Sequence, residues 1–278
     1  MRCILCQQEN KVRLIKKDFG GIDYIKIDGT TESIKTDRNY DIWHCDVCDT
    51  RFVSPYEDID YDKVYTQTDL YKGLLEFAEE LKKDPDPWWR LIARGQPYYA
   101  ALDFVKGKKE LIGLEVGCGY GYLTMALNGL GHKFMGIEVS DYVVNKCNEL
   151  YGGGFYKADI RKLKIDKLLD LIIGLEVIEH LSEPLDFMKA AKNLLKNDGS
   201  ILITTPDRTY LETRQTSQGQ SMLMPGWAGE MPPIHLAIYS KKSMGWLAQE
   251  LNMKLSFTDF PGGPAQTIGA IFSKRIFY

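Results

Sequence analysis

The sequence has no apolar run approaching the roughly 18–20 residues that cross a bilayer, which excludes a spanning helix of ordinary length. Its first residues, MRCILCQQENK, lack the apolar h-region of a secretory signal, so a cytoplasmic protein is expected. Internal repeats and low-complexity tracts are missing as well, which argues against solenoids and long biased linkers. There is no large excess of charge of either sign. A net charge of -3 argues against a broad nucleic-acid footprint, although a local basic groove is compatible with it. What remains is 278 residues, 44% hydrophobic and 26% charged, enough for one large domain or two of ordinary size.

The stretch around which the chain is organised is LIGLEVGCGYGYLT, Leu111 to Thr124. An apolar run meets Glu115, turns through Gly117, Cys118, Gly119 and Gly121, and enters a helix-like segment. Run, glycine turn and helix form the start of a nucleotide-binding α/β unit, in which the backbone must pass close to a ligand. From here to the end, strands are expected at 111–117, 132–139, 155–159, 169–176, 200–205, 254–260 and 269–277. Helices are expected near 121–130, 141–151, 182–196 and 240–251, with Ser182 and Ser240 as N-caps and Asn197-Asp198-Gly199 as a stop. This alternation predicts a Rossmann-like, doubly wound α/β fold with a mostly parallel seven-stranded sheet. Its last two strands flank Pro-Gly-Gly-Pro at 261–264 and suit an antiparallel pair.

Three units are expected: a zinc-ribbon-like module at 1–55, a helical linker or lid at 56–105, and the main domain at 106–278. Cys3 and Cys6 form one Cys-x-x-Cys, and Cys45 and Cys48 another. In a reducing compartment two such pairs read as thiolate ligands for one structural Zn2+, against free thiols as the alternative. The pairs are too far apart for a short ribbon, and alternation around Asp28-Gly29 suggests an intervening hairpin. His44 could substitute as a ligand, with a bystander beside Cys45 as the preferred reading. In the linker, a helix from about Leu70 to Lys82 ends at Asp84-Pro85-Asp86-Pro87. A second runs from Trp88 to about Val105 and breaks near Gly95-Gln96-Pro97, with Leu91, Ile92, Tyr98, Ala101, Leu102 and Val105 mostly on one packing face. Tyr56, Tyr61, Tyr65 and Tyr71 are lid candidates.

Ligands of open α/β sheets bind beyond the carboxyl ends of the strands. Gly117-Cys118-Gly119, Glu138, Asp159 and Glu176 end four successive predicted strands. Glu138 lies about 20 residues past the turn, where an acid can accept from both ribose hydroxyls. A cap for Asp159 and a solvated acid for Glu138 are the plainer alternatives.

These segments, LEVGCGYG, GIEVS, ADI and LEVIEHL, with NLLKNDGSILITTP after them, resemble the class I S-adenosylmethionine-dependent methyltransferases over about residues 105–278. GCGYG departs from the GxGxxG of dinucleotide dehydrogenases. The resemblance implies that Glu115 helps hold the methionine end and Glu138 the ribose. It implies that Asp159 and Ile160 lie at the adenine, and that Leu175 and Glu176 follow the fourth strand. ExxEH at Glu176, Glu179 and His180 is similar to a motif of ubiquinone-pathway O-methyltransferases and small-RNA 2′-O-methyltransferases, which implies metal-assisted activation of a hydroxyl. On one helical face, Glu176, Glu179 and His180 can bind a divalent ion with His235. His180 as a metal-free general base, and a merely structural role, remain alternatives. The run YDIWHCDVCDTRFVSPYEDIDYDKVY, Tyr40 to Tyr65, resembles the four-cysteine module that precedes many bacterial methyltransferases acting on sugars or secondary metabolites, with Asp49 where a glycine usually follows the second pair.

The resulting expectation is O-methylation of a small polar acceptor, most simply a sugar. His180 is then the first candidate base and His235 the second, with Glu179 beside them. The insertion 207–239, with Arg208, Tyr210, Arg214 and Trp227, is expected to wall the acceptor. An RNA methyltransferase and a non-catalytic cofactor-binding scaffold are the alternatives.

Overall fold

The computed structural model describes residues 1–20, 24–25, 31–32, 39–56, 59–67, 69–83, 88–210, 234–260 and 266–274. The expected Pro-Gly-Gly-Pro turn, Arg214, Trp227 and the break at 84–87 lie outside them.

Seven strands form the main sheet: β6 (Ile112–Val116), β7 (Lys133–Glu138), β8 (Phe155–Lys157), β9 (Leu169–Leu175), β10 (Leu195–Pro206), β12 (Met253–Phe257) and β13 (Thr267–Lys274). Their order is β12-β13-β10-β9-β6-β7-β8. Pairing is parallel from β10 through β8 and antiparallel where β13 inserts between β10 and β12. Chain order reverses at the β6–β9 boundary, and that reversal opens a crevice beyond the carboxyl ends of the strands. The strands read as continuous apolar runs because both faces are covered. Along β9, Leu171 and Ile173 pack into one hydrophobic cluster and Ile172 into the other.

One cluster is built with α2 (Asp69–Lys82), α3 (Trp88–Ala93), α4 (Gln96–Val105), α5 (Tyr122–Gly129) and α6 (Asp141–Tyr151). The break between α3 and α4 falls at Gly95, as the sequence suggests, with Pro97 in the first turn of α4. Ile92 leaves the expected packing face and is exposed. A shorter helix, α1 (Tyr61–Gln67), docks through Asp62, which accepts from the Ser140 hydroxyl at 2.5 Å and the Tyr142 amide at 3.2 Å.

The other cluster holds α7 (Pro184–Leu194) and α8 (Lys241–Glu250). Ser240 caps α8 in a reciprocal capping box with Ser243. Ser182 does not cap α7. Glu183 takes that position without a side-chain cap, and Pro184 begins the helix. Nor does Asn197-Asp198-Gly199 end a helix at 196. Helix α7 stops at Leu194, and the three residues lie in a register break of β10. A Cβ at Gly199 would meet the Leu169 carbonyl at 2.9 Å, so the strand can pass there only as glycine.

The N-terminal residues form a second sheet from β1 (Val12–Gly20), β4 (Asn39–Cys45) and β5 (Thr50–Ser54). A two-residue strand from the far end of the sequence, β11 (Ala237–Ile238), completes it against β5. The pair β2 (Tyr24–Ile25) and β3 (Thr31–Glu32) is antiparallel, while the expected turn at Asp28-Gly29 lies outside the described residues. The cysteine region shares a continuous apolar cluster with Leu236, Tyr239, Met244 and Leu247.

Candidate active site

The crevice at the strand ends is a cleft of about 1020 Å³. Glu115, Gly117, Cys118, Gly119, Glu138, Asp159, Ile160, Leu175, Glu176, Glu179, His180 and His235 all line it. Gly121 does not. It opens α5 with φ +75, and a Cβ there would meet Phe155 at 2.5 Å. At Gly117 (φ +66) the close approach is to Val177, 2.6 Å from an added Cβ. Gly119 (φ +49) is different: among the described residues its added Cβ meets only the Tyr65 hydroxyl, at 3.7 Å. The turn is thus packed shut at its two ends and leaves room for a ligand at Gly119.

The three strand-end acids are held in different ways. Buried Glu115 accepts from the Thr124 amide (2.8 Å) and hydroxyl (2.5 Å). Burial pushes its carboxyl up to about 8 in spite of those bonds, and the nearby Glu138 adds to the rise. Glu138 accepts from the amides of Val139 (2.7 Å), Gly119 (3.2 Å) and Ser140 (3.4 Å). Burial still raises it above the ordinary range. Asp159 caps a short 3₁₀ turn at Ile160–Lys162 and forms a double ion pair with Arg161, whose hydrogen bonds hold its carboxyl low. The capping alternative is therefore realised at Asp159, within the cleft wall.

At ExxEH the expected helical face does not form. Glu176 adopts a left-handed φ of +52, and only Ile178–His180 make a 3₁₀ turn. Burial raises Glu176 to about 7, and its Oε1 has no hydrogen-bond partner among the described residues. Glu179 is fully buried. It accepts from the Thr205 hydroxyl at 3.0 Å, and burial together with the nearby Glu176 raises its carboxyl well above the ordinary range. His180 Nδ1 lies 3.0 Å from the Ile234 carbonyl, which can only accept, so Nδ1 carries the proton. Burial pushes this imidazole down to about 4, leaving it neutral. The His235 ring stands 4.8 Å from the His180 ring, edge to face. Ligand atoms of Glu179, His180 and His235 all lie within 4.8 Å of one another, and Glu176 is outside that group.

The four Sγ atoms of Cys3, Cys6, Cys45 and Cys48 also lie within 4.8 Å of one another, all buried. Cys3 and Cys48 are 3.5 Å apart, as are Cys6 and Cys45. His44 is not in this cluster, and its Nε2 sits 3.5 Å from Asp49.

Of the lid tyrosines, Tyr61 and Tyr65 reach the cleft and Tyr56 is exposed, while the Tyr71 side chain is outside the described part. Of the insertion residues, Tyr210 lines the cleft. Arg208 corrects the expectation. It is buried away from the cleft and pairs with Asp49 at 2.6 Å, because the start of the insertion packs on the cysteine module. Sequence reasoning also missed Thr124 as the partner of Glu115 and Ile234 as the anchor of His180. Neither carries a local signal, since each contact depends on the folded chain.

The chain matches a family described as "Methyltransferase domain" over residues 67–256. Among curated proteins, it is 29% identical over 138 residues to the ubiquinone biosynthesis O-methyltransferase of Nitrosococcus oceani, covering 44% of this chain and 58% of that protein. The match thus spans little more than half of that relative's length. Among solved structures, the plantazolicin methyltransferase BpumL in complex with SAH superposes with a TM-score of 0.51 at 13% identity, over 77% of this chain and 94% of that one. The glycopeptide N-methyltransferase MtfA gives 0.50 at 12% identity, over 64% and 90%. A glycine turn open at Gly119, buried strand-end acids and a seven-stranded sheet of this order agree with that match, and the chain belongs to the class I S-adenosylmethionine-dependent methyltransferases.

Proposed function

We propose that this enzyme methylates a hydroxyl of a small polar acceptor, with a sugar as the preferred class. The observation that carries the reading is His180, a neutral imidazole on the cleft wall whose tautomer is set by the Ile234 carbonyl. Its Nε2 then has a lone pair for the proton that a hydroxyl gives up. The ubiquinone O-methyltransferase relative supports an oxygen acceptor. The likeness of the cysteine module to that of sugar-modifying enzymes supports the sugar.

Bound S-adenosylmethionine supplies a sulfonium methyl, and the leaving group is a neutral thioether. The chain's task is then alignment and exclusion of water. Glu138 accepts from the ribose hydroxyls, and Asp159 and Ile160 border the adenine. Gly117, Cys118 and Gly119 let the backbone approach. Glu115, Leu175 and Glu176 enclose the methionine end, where raised carboxyls meet a cationic ligand. His180 accepts the acceptor's proton at Nε2, with His235 packed against its ring and buried Glu179, held by the Thr205 hydroxyl, fixing the turn beneath.

A second reading has one observation in its favour, the convergence of Glu179, His180 and His235. These three would hold a divalent cation that lowers the pKa of the acceptor hydroxyl and orients it. Replacing His180 with alanine is expected to abolish turnover and leave SAH affinity unchanged. Turnover that persists at the wild-type rate removes His180 from the chemistry, and turnover that requires added Mg2+ or Mn2+ favours the second reading.

Cys3, Cys6, Cys45 and Cys48 are assigned to a structural zinc. A tetrahedral ion with Zn–S bonds of about 2.3 Å sets its sulfurs ~3.8 Å apart, close to the 3.5 Å of the two nearest pairs.

A further inference from the structure

Asp49 follows the last of the four clustered cysteines, Cys48, and adopts a left-handed φ of +61. A glycine would take that conformation freely, whereas another residue strains the backbone there and is retained where its side chain has work to do. The work is visible in its contacts. Asp49 Oδ2 accepts from Arg208 Nη2 at 2.6 Å and from Ser240 Oγ at 2.5 Å. Arg208 stands on the first described stem of the insertion, Asp207–Tyr210, and Ser240 directly follows the second, Ile234–Tyr239. The stems also meet directly, through the Arg208 amide and the Tyr239 carbonyl at 2.9 Å. The Asp49 backbone is fixed in turn. Its amide donates to the Cys45 carbonyl at 2.8 Å, and its own carbonyl accepts from the Ser243 hydroxyl at 3.1 Å.

The second stem carries His235, and its neighbours grip the ExxEH turn. The Leu236 amide donates to the Glu179 carbonyl at 2.8 Å, and the Tyr239 hydroxyl to the Ile178 carbonyl at 3.1 Å. The Val53 amide donates to the Leu236 carbonyl at 3.0 Å, tying the same stem to the cysteine module. We propose that Asp49 is a positioning residue for the histidine pair: by holding Arg208 and Ser240 on one oxygen, it fixes the stem that sets His235 against His180. A glycine at this position would keep the knuckle around the cysteines and release the stem. The effect on turnover rests on the acceptor-side reading of His180, but the ring geometry does not.

With four histidines in the chain, labelled imidazole signals can be followed one by one by NMR. In Asp49→Gly the signals of His180 and His235 are expected to shift, while those of His132, which accepts from Leu111 at the far end of β6, stay in place. His44 touches Asp49 and is not used. Arg208→Met leaves the cysteine turn intact and should produce the same shifts, so the test survives if Asp49→Gly fails to fold. Asp49→Asn, which tolerates the left-handed region and keeps an oxygen for both donors, should restore the wild-type positions. Unmoved His180 and His235 signals in Arg208→Met overturn the proposal, as does failure of Asp49→Asn to restore them. Shifted rings with unaltered turnover support it and count instead against His180 as the base.

Discussion

Glu138→Ala is expected to raise the dissociation constant of SAH by about a hundredfold, measured by isothermal titration. Two ribose hydroxyls donating to one carboxylate contribute about 1.5 kcal/mol or more each, and about 2.7 kcal/mol corresponds to a hundredfold. The carboxylate is also built into the turn. It accepts from the Gly119 amide at 3.2 Å, at the glycine that leaves the cleft open, so its removal loosens the turn as well. Folding gains little from this group, since burial already disfavours its charged form. The loss should therefore appear in ligand affinity far more than in thermal stability. Glu138→Gln, which keeps an acceptor for one hydroxyl, should recover part of the affinity. An unchanged dissociation constant in Glu138→Ala would remove the ribose role.

The largest effect on stability is expected at the cysteine cluster. The purified protein should hold one equivalent of zinc by elemental analysis, and Cys45→Ala should hold none. Metal binding by four buried thiolates contributes on the order of 10 kcal/mol to the folding of small modules. Here the cysteines share an apolar cluster with Leu236, Tyr239 and Leu247, so part of the loss falls on the main domain. Cys45→Ala should therefore lower the thermal midpoint by on the order of 10 °C or more. Because β5 pairs with β11, acceptor turnover should fall together with the metal while SAH affinity is largely retained. A zinc-free wild-type protein with an unshifted midpoint in Cys45→Ala would dismiss the structural metal.

Much of the fold was legible because buried parallel strands leave an unmistakable trace. Ile112–Val116, Lys133–Glu138 and Leu169–Leu175 are apolar runs closed by glycine or acid, and they form within two residues of where the pattern places them. The strand-end acids were legible for the same reason, since topology alone brings them to one edge. Ser240 announced its helix through local chemistry, whereas Ser182 offered the same signal and lost the position to Glu183. The pairing of Ala237–Ile238 with Arg51 and Phe52 had no trace, because two residues carry no periodicity and the partners are far apart in the chain. For the same reason Arg208 was assigned to the acceptor wall when its charge is spent on Asp49. Glu179 reads as one of three ligands on a helical face, yet the 3₁₀ geometry after Glu176 leaves Glu176 out of that group and turns Glu179 fully inward.

The crystal structure of this protein with bound SAH is the most direct measurement. The ribose should sit on Glu138, the backbone of Gly119 should face the ligand, and the thioether sulfur should point across the cleft toward His180. A ligand bound outside this cleft, or one whose sulfur is turned away from His180, would contradict that placement of donor and acceptor.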